Sequence, residues 1–212
     1  RAILDRARSD LAKSFGFKKE ELTFTSGATE SNNAVFAHFG KKLKPKSICL
    51  LSPFEHSSVL ESAKYWFKDR IYYLPTDDSG VVILDGVEKI LNEEDISLVS
   101  LMAANNETGV LQPWQDMARL CSSKGIHFHC DATQWIGKLA FEDFSLCTSF
   151  SASAHKFSGP KGMGWLASKE PLQIQIGGGQ EGNLRGGTEN IPGIISMLSA
   201  WQEVKSNIAV LN

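Results

Sequence analysis

Hydrophobic positions along this chain follow two periods. The runs LTFT (22–25), SICLLS (47–52), RIYYLP (70–75), ISLVSLMA (96–103), IHFHCD (126–131) and TSFSAS (148–153) are apolar or alternating and of strand length. Segments with helical spacing stand among them: TESNNAVFAHFGKKL (29–43), opened by a polar cap, SSVLESAKYWFKD (57–69) and WQDMARLCSSK (114–124), with ARSDLAKSF (7–15) as a helix end. This alternation predicts an α/β fold. The near-continuous apolar character of ISLVSLMA suits a strand covered on both sides, so the expected architecture is a mainly parallel mixed sheet with helices on both faces. One large domain over 1–212 is expected, with no internal repeat. Only GGGQEGNLRGG (177–187) breaks the pattern; it is too glycine-rich for helix or strand and predicts a loop.

Composition narrows the partners. Lys+Arg of 22 against Asp+Glu of 24 gives a net charge of −2, which argues against nucleic acid or an anionic membrane and for small molecules. Cys49, Cys121, Cys130 and Cys147 show no C-x-x-C spacing, and a chain of this size needs no disulfides, so a reducing, cytoplasmic setting is expected. No apolar run approaches the ~18 residues of a membrane span. RAILDRARSD is too charged to be the core of a signal peptide. The chain begins with Arg1 rather than Met, which leaves room for an earlier targeting segment and keeps an organelle open.

In such folds, chemistry collects where strands end at their carboxyl edge. Four of these junctions are chemically loaded. TSGATES (25–31) joins a strand to a helix through Gly27, and unpaired amides at a helix start suit an anion as well as a plain cap. NNETG (105–109) reads as a turn. In IHFHCDATQ (126–134), Asp131 stands at a strand end, where a carboxylate is costly unless a positive group faces it. His127, His129 and Asp131 at i, i+2 and i+4 would share a strand face, but the catalytic zinc signature H-E-x-x-H is absent, and hydrogen-bonded core histidines are the better reading. SASAHKFSGPKG (151–162) crowds short side chains around Lys156, with Ser151, Ser153 and His155 as polar neighbours. Lys161 reads as structural or surface.

Together, an anion-binding helix start, a buried carboxylate and a crowded lysine match the needs of pyridoxal 5'-phosphate: an amine to hold it and a carboxylate to keep its ring nitrogen protonated. Two nucleotide motifs fail. Gly177, Gly179 and Gly182 satisfy G-x-G-x-x-G, but NLRGGTENIPG is not expected to open the required helix. Gly137-Lys138 is followed by Leu139, with Ala132 where a phosphate loop needs glycine.

FTSGATESNN, EHSSVLES, NNETGVLQP, HCDATQWIGK, SASAHKFSGPKG and GGGQEGNLRGGTENIPG, in this order, resemble the cysteine desulfurase family of the class V aminotransferase group, over residues 1 to about 200. The resemblance implies the large domain of a fold type I pyridoxal-phosphate enzyme and a set of roles. Lys156 would hold the cofactor and act as general base, Asp131 would pair with the ring nitrogen, and His56 would stack on the ring. Gln134 would reach the phenolic oxygen, with Asn106 on the substrate side. Ala28, Thr29, Ser153 and His155 would bind phosphate, joined by Thr188 from the partner of a homodimer. The implied reaction takes sulfur from L-cysteine, leaving alanine and a persulfide on an enzyme cysteine, with an acceptor protein to follow. The alternatives are a related lyase such as selenocysteine lyase, or a noncatalytic scaffold of iron-sulfur assembly. The resemblance also implies an N-terminal segment before residue 1 and a small domain after residue 212 that carries the nucleophilic cysteine; none of the four cysteines here sits in a matching loop.

Overall fold

A computed structural model describes residues 2–42, 44–140 and 143–211. Leu43, the last residue of the expected 29–43 helix, and both terminal residues of the expected domain lie outside these. The strands are β1 (Leu22–Thr25), β2 (Ile48–Leu51), β3 (Ile71–Tyr73), β4 (Ile96–Ser100), β5 (Phe128–Asp131), β6 (Ser149–Ser153) and β7 (Gly164–Ser168). The helices are α1 (Ala2–Ser14), α2 (Ala28–Lys41), α3 (Ser57–Phe67), α4 (Val87–Glu93), α5 (Trp114–Ser123) and α6 (Ile191–Leu211). All seven strands form one sheet in the order β1-β7-β6-β5-β4-β2-β3. Neighbours from β3 through β6 are parallel, while β7 runs antiparallel to β6 and β1, so the sheet is mixed and mainly parallel as its sequence predicts.

Alternation within the strands divides the core into two layers. Leu50, Val99, Phe128, Cys130, Phe150, Ala152 and Trp165 pack with α1, α5 and α6 through Phe15, Trp114, Met117, Met197 and Trp201. Cys49, Leu51, Leu98 and Leu166 pack on the other face with Val35 and Phe36 of α2 and Val59, Ala63 and Phe67 of α3. Phe144 stacks on Trp114 with ring centroids 4.4 Å apart, which ties the segment before β6 to α5.

Three elements were not legible in the periodicity. β7 follows a glycine-rich approach, and its five residues, GWLAS, are all buried, so no polar face alternates with an apolar one. α4 is short. α6 corrects the reading of NLRGGTENIPG, because a helix does open at Ile191, with Pro192 in its first turn, where amides have no intrahelical acceptor to lose. Gly182 still lies in a separate short turn, Gln180–Asn183, well ahead of that helix, and so opens no dinucleotide-type helix. β4 ends earlier than its apolar run: Leu101 and Ala103 leave the regular strand but donate to the carbonyls of His129 and Asp131 (3.1 and 2.9 Å). That irregular continuation carries the chain towards the carboxyl ends of its neighbours.

Candidate active site

At the carboxyl edge of β4, β5 and β6 lies a cavity of about 220 Å³, lined by Ala28, Thr29, His56, Ser58, Met102, Asn106, Asp131, Thr133, Gln134, Ser153, His155 and Lys156. Nine of the residues read from the sequence meet there; Thr188 does not. It is exposed and lines a separate hollow with Glu181, Arg185 and Asn190.

Each residue is delivered by a local feature. Gly27, at φ 148°, ends β1 in a conformation that favours glycine and starts α2. The Ala28 amide donates to Ser153 Oγ (2.7 Å), which joins the helix start to the end of β6. Ser31 N–H reaches back to the Gly27 carbonyl (3.2 Å), so the Thr29 and Glu30 amides remain the outward donors of the first turn. No side chain fits between these elements at Gly164, where an added Cβ would stand 2.4 Å from the Ala152 carbonyl and 2.6 Å from Gly27 Cα.

His56 caps α3: its Nδ1 accepts from the Ser58 amide (3.1 Å) and meets Ser58 Oγ (2.9 Å). Helix-start histidine and cavity histidine are therefore the same residue. Asn105 shapes the loop after β4, with Oδ1 accepting from the Glu107 and Thr108 amides and Nδ2 donating to the Phe54 carbonyl (2.8 Å). Asn106 is thereby turned to the cavity rim. Lys156 sits in the short helical turn Ala154–Phe157 directly after β6. Gln134 Oε1 accepts from Lys138 Nζ, which leaves the amide nitrogen of Gln134 as its donor.

Charge is unevenly spread. Burial and then the charges of Lys156, Lys161 and Lys138 hold the His155 ring below its ordinary pKa. Burial, and Lys156 next, lower Lys138 as well. This rim is electropositive. Deeper in, Asp131 is 4% exposed, with Oδ1 accepting from the Thr133 amide (3.0 Å) and Oδ2 from Asn32 Nδ2 (2.9 Å). Burial, then the nearby Asp131 charge, push the Glu55 carboxyl well above the usual carboxylate range, against the bond it accepts from the Met102 amide (2.7 Å). Glu55 joins the turn before His56 to the loop after β4.

His127 and His129 are hydrogen-bonded core residues rather than a ligand pair facing open space: both meet Ser149 Oγ (2.8 and 2.9 Å). Sequence reasoning missed Asn32, Ser58, Met102 and Thr133. For Asn32 a signal existed, since it shares the buried face of α2 with Ala28, Ser31, Val35 and Phe36. An amide on an otherwise small and apolar face calls for a partner. The four cysteines are buried, and burial drives the thiols of Cys49 and Cys130 well above their ordinary value and that of Cys121 to about 12.

Fold and cavity define an α/β domain that gathers a lysine, a carboxylate and helix-start amides at one end of its sheet. Its family follows from the sequence: residues 1–210 match the Aminotransferase class-V model, and the chain belongs to that family. It is 41% identical over 205 residues to the cysteine desulfurase IscS of Dictyoglomus turgidum (strain DSM 6724 / Z-1310), covering 93% of this chain and 52% of the relative. The Homo sapiens cysteine desulfurase is 36% identical over 212 residues, 95% of this chain and 46% of its own length. A solved NifS-like protein superposes with a TM-score of 0.91 at 39% identity, over 98% of this chain and 59% of that one. The chain thus spans about half the length of the curated relatives it matches.

Proposed function

We propose that the chain is the cofactor-holding large domain of a pyridoxal-phosphate-dependent cysteine desulfurase, which removes sulfur from L-cysteine, leaves L-alanine and passes the sulfur through a persulfide to an acceptor protein. The observation that carries this reading is the convergence of Lys156, Asp131, His56 and the α2 start on one cavity. The residues present fit the cofactor. Thr133 Oγ1 is buried without a partner among the described residues, and Ser153 Oγ, already accepting from Ala28, keeps its proton to donate. With the Thr29 and Glu30 amides and His155, Ser153 forms a phosphate cradle.

When bound, pyridoxal phosphate supplies an electron sink that acidifies the Cα–H of the amino acid substrate. Asp131 would hold a proton on the cofactor's ring nitrogen. Lys156 would hold the cofactor and offer Nζ as the base for the Cα proton. His56 would lie against the cofactor ring, Gln134 would offer its amide N–H to the phenolic oxygen, and Asn106 would orient the substrate. The sulfur-accepting thiol comes from a segment outside this chain, because the four buried cysteines lack the open, electropositive setting that ionises a nucleophile.

Two copies complete the phosphate site, each lending Thr188 to the other. The exposure of Ile176 (90%), Ile191 and Ile195 beside Thr188 supports this apolar two-fold contact. The reading is tested with the full-length protein: borohydride reduction and peptide mapping are expected to leave the cofactor on Lys156. A label on Lys161, or no bound cofactor, overturns it.

A further inference from the structure

Beneath α2 runs a chain of buried polar groups that the proposed chemistry does not use. Its outer end is Glu170, whose Oε1 meets His127 Nδ1 at 3.2 Å. His127 Nε2 meets Ser149 Oγ at 2.8 Å, Ser149 Oγ meets His129 Nδ1 at 2.9 Å, and His129 Nε2 meets Asn32 Oδ1 at 2.9 Å. Asn32 Nδ2 then donates to Asp131 Oδ2 at 2.9 Å and to Ser58 Oγ at 2.9 Å. Ser149, His129 and Asn32 are wholly buried. So much polar chemistry inside a sheet is costly unless every group is paired.

With His129 neutral, one direction of donation pairs the inner groups. The Asp131 oxygens accept, so the Asn32 atom facing them is nitrogen, and its oxygen faces His129 and the Ser151 hydroxyl, which donates at 2.6 Å. His129 must therefore donate from Nε2 and, as a neutral ring, accept at Nδ1 from the Ser149 hydroxyl. With that proton committed, Ser149 accepts from His127 Nε2–H, and one further proton on His127 or Glu170 closes the outer contact. On the other branch, Ser58 Oγ receives the Asn32 N–H and donates to His56 Nδ1 (2.9 Å), which the Ser58 amide (3.1 Å) already makes an acceptor. Reversing a neutral His129 sets its Nε2 against the Asn32 oxygen, two acceptors face to face.

We propose that Asn32 is a positioning residue which, through its one amide group, fixes the Asp131 carboxylate, and that the His129–Ser149–His127 chain locks that amide in its orientation. The proposal rests on the reading of Asp131 as the partner of the cofactor's ring nitrogen. Asn32→Asp keeps the shape and removes both N–H donors; His129→Phe removes the donor that holds the Asn32 oxygen.

The test uses the full-length protein with pyridoxal phosphate as the probe. The dissociation constant and the pH midpoint of the bound cofactor's visible absorbance are measured for wild type, Asp131→Asn, Asn32→Asp and His129→Phe. Asp131→Asn is expected to weaken binding most, Asn32→Asp by about tenfold with a shifted midpoint, corresponding to the loss of one charge-assisted bond, and His129→Phe in the same direction by less. A folded Asn32→Asp protein with wild-type affinity and midpoint, while Asp131→Asn loses both, overturns the role of Asn32 and leaves the function standing. An unaffected Asp131→Asn protein overturns the function and this inference with it. Should Asn32→Asp not fold, long-range 1H–15N spectra of the 15N-histidine-labelled wild type decide: His129 is expected as the Nε2–H tautomer that donates to the Asn32 oxygen, and an Nδ1–H signal from it overturns the proposal.

Discussion

Asp131 illustrates how much one residue's neighbours decide. A carboxylate at the end of a buried strand was legible as an anomaly in HFHCDATQ, but not what holds it: the Thr133 amide lies two residues on, and Asn32 comes from a helix far away in sequence. His129, beside it in the same network, has the clearest titration signature. Burial, and then the charge of His127, depress its pKa to about 3, so the folded state keeps it neutral. Unfolded, it binds a proton at about 6.5. The stability contributed by neutral His129 is therefore fully present above about pH 6.5 and is lost as pH falls from there towards 3, at up to about 1.4 kcal/mol per pH unit from this one group. Urea unfolding between pH 4 and 6 is expected to show this extra slope in the wild type and not in His129→Phe; equal slopes would place the ring's proton uptake elsewhere.

Among the elements, the glycine-rich loop shows how its own polar residues order it. GGGQEGNLRGG is a loop, as its glycines predict, and Glu181 within it is buried and forked by Arg8 of α1 (2.5 and 2.7 Å), and it also accepts from the Phe24 amide of β1 (2.8 Å). Arg185 reaches Glu30 at the α2 start (3.0 Å). Burial alone would raise the Glu30 carboxyl, but Arg185 and the Ser26 amide hold it below the ordinary range. The glycines serve close approach: an added Cβ on Gly186 would stand 2.4 Å from Gly177 Cα. Glu181→Ala strands a partly buried guanidinium and an amide of β1, and is expected to lower unfolding stability by about 3 kcal/mol, the scale of breaking a buried pair from one side. A loss below about 1 kcal/mol in urea titration would mean that the loop is not anchored there.

At the scale of the whole molecule, two predictions concern what the chain receives from outside itself. The cysteines sit in β2, α5, β5 and just before β6, all buried. Changing all four to serine in the full-length protein is expected to leave sulfide release from L-cysteine largely intact, apart from losses in stability. Abolition of activity by any single change, with fold and cofactor retained, would put the nucleophile inside this chain. The second prediction uses mixed dimers of a Lys156→Ala chain with a Thr188→Ala chain. If Thr188 serves the neighbour's phosphate, one site carries both lesions and the other none, so activity partly returns relative to either homodimer. No recovery would assign Thr188 to its own chain's site.

The sequence alone determined the α/β order, six of the seven strands and the junctions that carry Lys156, Asp131 and the α2 start, because strand and helix periods are local and strand-end chemistry is written in adjacent residues; His56 was legible only through the family resemblance. Tertiary structure decided the rest. β7 became visible only as an antiparallel filler between β1 and β6, since a strand buried on both faces loses its alternation. Asn32 acquired its place only when α2 was laid across β5 and β6, because a hydrogen-bond network is a property of side chains brought together from distant positions, and no spacing along the chain records which partner completes each donor and acceptor.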